Sequence, residues 1–374
     1  MPAHPWLADR TDRFDSSGIR KVFDLAAKLK DPINLSIGQP DFPAPPALKE
    51  AACKAIHDDL NGYSPTQGAA ALRDRLQARV DEEWGHEGRK LLVTSGTSGA
   101  LNLAMWALVN PGDEVIVFDP YFVMYPTLCE MVGGVPVVID TYEDDFQINL
   151  AKVEAAITPK TKLILFNSPA NPTGVVASAE STRGLAELAK KHNIALLSDE
   201  IYREFCYDGA LPSPARWNDQ TIVVDGFSKS YGVTGWRIGW IHGPSALIDK
   251  MAALQQYTFV CAPHPLQHAA IEAFHTDMSA QVDAYRERRD HVVAGLRDAG
   301  YEVAPTGGAF YVFPKAPAGQ GSASEFVARA IEHELLVIPG GIFSRRDTHF
   351  RISYAAPMAT LDRGLEVLRR LAKR

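Results

Sequence analysis

Four polar segments of this chain each fall just beyond a short apolar run and a fifth at the start of one, and their residue types form a chemical set. After Leu91-Leu92-Val93 comes Thr94-Ser95-Gly96-Thr97-Ser98-Gly99, whose small residues leave backbone N–H groups open at a helix start, a setting suited to phosphate. Taken alone, this loop reads first as a tight strand-to-helix turn. After Leu163 to Phe166 comes Asn167-Ser168-Pro169-Ala170-Asn171-Pro172-Thr173-Gly174, stiffened by two prolines, where a plain turn and a binding site are equal readings. Asp199-Glu200-Ile201-Tyr202 follows Ile194 to Leu197, and a helix cap by Ser198 or Asp199 is its simpler explanation. Asp225-Gly226-Phe227-Ser228-Lys229-Ser230 follows Ile222 to Val224, and Gly235-Trp236-Arg237-Ile238-Gly239 comes soon after. A lysine in a serine-rich turn between two buried strands is hard to explain as a solvated charge.

The elements that must position these residues are legible as short runs rich in β-branched residues. They are Leu91 to Val93, Val115 to Phe118, Val135 to Ile139, Leu163 to Phe166, Ile194 to Leu197, Ile222 to Val224 and Trp236 to Ile241. Runs of this kind, alternating with amphipathic stretches such as Ala100 to Val109 and Ser178 to His192, predict an α/β fold with a mainly parallel seven-stranded sheet covered by helices. Ligands of such sheets sit beyond the carboxyl ends of the strands. Asn171, Asp199 and Lys229 follow one another at 28 and 30 residues, close to the ~30 residues of one βαβ unit, so each step returns the chain to the same sheet edge. After about residue 280 the pattern changes to a charged helix (Tyr285 to Ala299), Tyr301-Glu302-Val303, Phe310 to Phe313, a helix (Ser324 to Glu334) and a last strand, Phe350 to Tyr354. This predicts a smaller α+β domain, joined by an N-terminal helix around Ile19 to Leu29. The expected boundaries are 1–46 for the N-terminal arm, 47–278 for the large domain and 279–374 for the small one.

The bulk properties narrow the function. With 374 residues, 46% hydrophobic and 22% charged, the chain can bury a sizeable core. A formal net charge of -7 without a basic run makes nucleic acid an unexpected partner. No membrane span or export signal is expected from the sequence, and Cys53, Cys129, Cys206 and Cys261 lie too far apart to suggest a metal site or disulfide scaffold. The expected location is the cytoplasm.

Ser-Pro-Ala-Asn-Pro-Thr-Gly, Asp-Glu-Ile-Tyr, Ser-Lys-Ser-Tyr-Gly, Gly-Trp-Arg-Ile-Gly and the late Phe-Arg-Ile-Ser-Tyr resemble the class I/II aminotransferases of pyridoxal-phosphate fold type I. The match runs in order from Ile37-Gly38-Gln39-Pro40-Asp41-Phe42 to Arg351. The resemblance implies pyridoxal 5'-phosphate as cofactor, no metal, and Lys229 as the amine that condenses with the cofactor aldehyde and then moves protons. It implies Asp199 beside the pyridine nitrogen, Tyr202 and Asn171 near the ring oxygen, and Phe122 stacked on the ring, although a core aromatic is an equal reading of Phe122. It places Ser95, Gly96, Thr97, Ser228 and Arg237 around the phosphate, with Tyr63 of Asn61-Gly62-Tyr63-Ser64-Pro65 reaching across a homodimer. Arg351 is implied as the clamp for the substrate α-carboxylate, with Asn171 and Gly38.

The implied reaction moves an amino group from an L-amino acid to a 2-oxo acid such as 2-oxoglutarate by a ping-pong route. Donor choice stays open between aspartate and aromatic or other neutral amino acids. Arg345 and Arg346 can supply a second cation, although exposed positions suit them better. Tyr121, Tyr125, Tyr257 and Phe259 can instead line an aromatic pocket. A carbon–sulfur β-lyase of the same fold would need the same Lys229, Asp199 and Arg351. A cofactor-binding transcription regulator is disfavoured, because few residues precede Ile37 and the charge balance is acidic.

Overall fold

The computed structural model describes residues 4, 6–8, 10–11 and 29–373. The helix expected over Ile19 to Leu29 lies, apart from Leu29, outside the described residues.

All seven apolar runs become strands of one sheet: β1 (Arg89–Ser95), β2 (Glu114–Asp119), β3 (Val135–Asp140), β4 (Thr161–Asn167), β5 (Ala195–Asp199), β6 (Ile222–Gly226) and β7 (Ile238–Pro244). Their order across the sheet is β1-β7-β6-β5-β4-β2-β3. Five strands, β2 to β6, pair in parallel, whereas β7 runs antiparallel to both β6 and β1. Both faces are covered, which explains why the runs read as continuously apolar. Leu163, Leu165, Leu197 and Val224 pack on one side with the helix Gly96–Leu108. Ile164, Phe166 and Leu196 alternate to the other side, against the helix Ala179–Lys191. That helix starts where Ser178 caps it, its hydroxyl accepting from the Ser181 N–H at 3.1 Å.

The later part of the chain holds helices Ser279–Asp298 and Ala323–Glu332, the second opened by a reciprocal Ser322/Glu325 capping box. A three-stranded sheet joins Ile338–Pro339, Phe350–Ser353 and Tyr311–Val312. Ile33–Asn34 pairs in parallel with Leu335–Leu336, so early and late residues meet in one layer. The expected element at Tyr301-Glu302-Val303 is not a strand. Tyr301 satisfies itself through packing, with its ring near Phe326 and Phe350 and its hydroxyl donating to the Leu368 carbonyl at 2.9 Å.

Candidate active site

The carboxyl ends of β4, β5 and β6 lie side by side, with Asn167 opposite Asp199 and Asp199 opposite Val224 in the ladder. Because β7 is reversed, its beginning lies at that same edge. Arg237, the residue before β7, therefore arrives beside residues that follow the other strands. Arg351 comes from a different sheet, on the strand Phe350–Ser353. These segments surround a cavity of about 320 Å³ lined by Gly38, Thr97, Phe122, Asn171, Asp199, Tyr202, Ser228, Lys229, Arg237 and Arg351. Ser95 and Gly96 lie directly behind, where the Arg237 guanidinium reaches the Ser95 carbonyl at 3.5 Å. Tyr63 is apart from the cavity and 85% exposed.

Lys229 donates from Nζ to the Gly38 carbonyl at 2.7 Å. Burial, with the nearby Arg351 and Arg237, pushes its ammonium down to about 8, against a smaller opposing pull from Asp199. Asp199 is 3% exposed. Its carboxyl is raised to about 6 by burial, despite the Tyr125 hydroxyl donating to Oδ2 at 2.9 Å and the Ile201 N–H to Oδ1 at 3.2 Å. Arg351 is 1% exposed. Its fork donates to Asn171 Oδ1 at 3.0 Å and the Ser36 carbonyl at 2.9 Å. Lys229, Arg237 and Arg351 thus share one cavity in which Asp199 is the only acid among the described residues. Such an excess of cations calls for an anionic ligand.

Three residues escaped the sequence reading of the site. Tyr125, by sequence a candidate for the substrate pocket alone, hydrogen-bonds Asp199. Asn167 ties two turns together, donating to the Asp199 carbonyl at 2.9 Å and accepting from the Asn171 N–H at 3.0 Å. Its place at the strand end opposite Asp199 was the available signal. Tyr311 lies 1% exposed between Tyr202 and Arg351, and no local sequence feature points to it.

The residues weighed for substrate choice are placed differently from one another. Neither Arg345 nor Arg346 lines the cavity. The Arg345 N–H donates to Asp119 at 3.1 Å, and the Arg346 side chain pairs with Asp140 and stacks on Tyr142. Of the four aromatic residues, Tyr125 lines the cavity, Tyr121 lies behind it, and Tyr257 and Phe259 are on the surface at 87% and 39% exposure.

The family model described as aminotransferase class I and II matches residues 30–368. The chain belongs to the class I and II aminotransferases. It is 34% identical to an aspartate aminotransferase of Thermotoga maritima, covering 95% of this chain and 97% of that one. It is 32% identical to aromatic-amino-acid aminotransferase 2 of Thermococcus litoralis over 98% of each. Its fold matches a solved structure of the aspartate aminotransferase from Thermus thermophilus with maleate, with a TM-score of 0.92 and 35% identity over 98% of this chain and 100% of that one. The enzyme has the aspartate-aminotransferase-like α/β fold and depends on pyridoxal phosphate.

The residues of this aminotransferase fit that cofactor. The helix Gly96–Leu108 begins without a side-chain cap, which leaves its first amides for a phosphate. Gly96 has φ +66°, and a β-carbon there would lie 2.3 Å from Arg237 Nη2, so only a bare glycine lets the guanidinium come so close. Arg237 itself is held in the left-handed region at φ 57°, a conformation that non-glycine residues keep mainly where surrounding structure requires it. The Ser228 hydroxyl is buried without a hydrogen-bond partner among the described residues. An orphaned donor lining the same cavity as a guanidinium, with open helix amides close by, is a set of groups that suits a phosphate.

Proposed function

We propose that this aminotransferase carries the amino group of an L-amino acid to a 2-oxo acid, with 2-oxoglutarate as acceptor, in a ping-pong cycle of two half-reactions at one site. One observation carries the reading: three cations, Lys229, Arg237 and Arg351, surround a cavity whose one described acid is Asp199. That charge pattern suits a cofactor phosphate and a substrate α-carboxylate held together.

In this proposal Ser95, Gly96, Thr97, Ser228 and Arg237 hold the phosphate. Asp199 faces the pyridine nitrogen, where a carboxylate favours the protonated ring. Tyr202 and Asn171 serve the ring oxygen, and Phe122 lies against the ring face. Arg351 takes the α-carboxylate through its fork, helped by Asn171 and the Gly38 backbone. When bound, pyridoxal phosphate supplies an electron sink for charge developing on the substrate α-carbon. Lys229 is the base: its Nζ accepts the α-proton, and the ammonium so formed returns a proton later in the same half-reaction. The lowered proton affinity of Lys229 supports this role, since the free amine is reached at a lower pH than in an ordinary lysine.

The proposal retains a division at 1–46, 47–278 and 279–374, with Lys229 from the middle segment meeting Arg351 from the last. It retains a cytoplasmic homodimer in which Tyr63 serves the neighbouring subunit. Donors are aspartate, aromatic or other neutral amino acids, supported by the two kinds of relative and by cavity walls that include Ile37, Gln39, Ser98 and Leu101. The test is a panel of single amino acids against 2-oxoglutarate, pyruvate and oxaloacetate, with product amino acids measured. Amino transfer to at least one acceptor is expected. Release of pyruvate and ammonia from cysteine-like donors without transfer would replace this reading with a β-lyase.

A further inference from the structure

We infer that Tyr311 is a positioning residue with two separable actions, its ring supporting Arg351 and its hydroxyl setting the hydrogen bonding of Tyr202. The inference rests on the aminotransferase roles proposed above for those two residues.

The strand pairing itself creates the first action. Tyr311 stands opposite Ser353 in the antiparallel ladder, and Arg351, two residues from Ser353, projects to the same side as its diagonal neighbour. The Arg351 guanidinium therefore lies over the Tyr311 ring, 4.5 Å from its centroid. The Phe343 ring lies 4.7 Å from the same guanidinium, and Arg351 Nε is buried without a hydrogen-bond partner among the described residues. A planar cation with aromatic faces as near neighbours, and with only its two terminal nitrogens hydrogen-bonded, keeps its charge for an incoming carboxylate while its plane stays fixed.

The second action runs through the hydroxyls. Tyr311 and Tyr202 are both buried, at 1% and 4% exposure, and their hydroxyl oxygens are 3.1 Å apart. Each phenol has one proton, so if Tyr311 donates, the Tyr202 proton is left to point into the cavity. Space around this pair is tight: a β-carbon at Gly38 would lie 3.0 Å from the Tyr311 hydroxyl. Gly38 is also the residue whose carbonyl holds Lys229, so the Tyr311 hydroxyl, the lysine anchor and the arginine clamp are built as one unit.

Two variants in the cofactor-loaded enzyme separate the actions. Tyr311→Phe keeps the ring and removes the hydroxyl. Its visible cofactor band is expected to titrate at a displaced pH midpoint, in the same direction as in Tyr202→Phe, with no further displacement in the double variant and with donor KM near the unaltered value. Tyr311→Leu removes both features and is expected to raise donor KM about tenfold beyond Tyr311→Phe, from loss of the cation–π support. An unchanged midpoint in Tyr311→Phe, or a Tyr202→Phe displacement that adds to it in full, overturns the hydroxyl action. Equal KM in the Phe and Leu variants overturns the ring action. The band titration needs no turnover, so it stands even if the donor panel were to reveal a different reaction. Thermal melting of each variant checks folding, and Tyr311→Met, which also lacks the ring, takes the place of Leu in the KM comparison if Leu does not fold.

Discussion

A lysine amine can act on an aldehyde or an α-proton only while neutral, and the surroundings of Lys229 favour that state. Its proton affinity falls to about 8 because burial and two arginines oppose the charge. Below that pH Nζ is ammonium and above it the amine is free. Cofactor capture by the cofactor-free protein should therefore accelerate as pH rises, with a midpoint near 8 and not near the ordinary 10.5, followed by growth of the visible band. A midpoint at the ordinary lysine value would contradict the burial argument. Lys229→Ala should lower amino transfer by at least about 10²- to 10⁴-fold, the range for loss of a positioned acid–base group. The phosphate cradle is untouched in that variant, so equilibrium dialysis should still find cofactor bound. Transfer above trace level would remove Lys229 from its role. Among single residues, Lys229, Asp199 and Arg237 were legible because each falls at a strand end. Tyr311 was not, because its importance comes only from what it touches.

At the scale of elements, the turn from β1 into the helix Gly96–Leu108 depends on how closely backbones approach. A β-carbon on Gly239 in β7 would lie 2.7 Å from backbone atoms of Gly96 and Thr97, and one on Gly96 would enter the Arg237 guanidinium. Gly96→Ala should thus cost more than about 1 kcal/mol, because the new side chain meets both a clash and a positive φ. It should also weaken cofactor binding more than Ser95→Ala, measured as the dissociation constant of the cofactor. Equal constants for the two variants would mean that the turn adapts. The sequence revealed all seven strands because burial on both faces leaves an uninterrupted apolar run. It did not reveal the reversal of β7, since apolar content carries no direction. Tyr301-Glu302-Val303 misled for a related reason: an apolar-polar-apolar triplet satisfies aromatic packing as well as a ladder.

At the scale of the molecule, Tyr63 is the informative outlier, a tyrosine 85% exposed yet matched to a cofactor role. If it serves the neighbouring subunit, mixed dimers of Lys229→Ala and Tyr63→Ala chains should regain activity, because one of the two sites then holds an intact Lys229 and an intact Tyr63. About half the activity of the unaltered dimer is expected per hybrid, as two-fold symmetry gives one repaired site of two. Hybrids as inactive as two inactive parents would place Tyr63 in its own subunit, and a Tyr63→Ala homodimer with unaltered activity would place it outside the chemistry. The amino-acid sequence by itself determined the fold class and the family and supplied the candidates for the site, because periodic burial and motif spacing are local properties of the chain. Only the tertiary structure decided that Arg351 from a second sheet meets Lys229, that Tyr125 holds Asp199 and that Tyr311 lies between Tyr202 and Arg351. Those contacts join residues from tens to more than a hundred positions apart, and which of them form depends on strand direction, register and packing that no local pattern encodes.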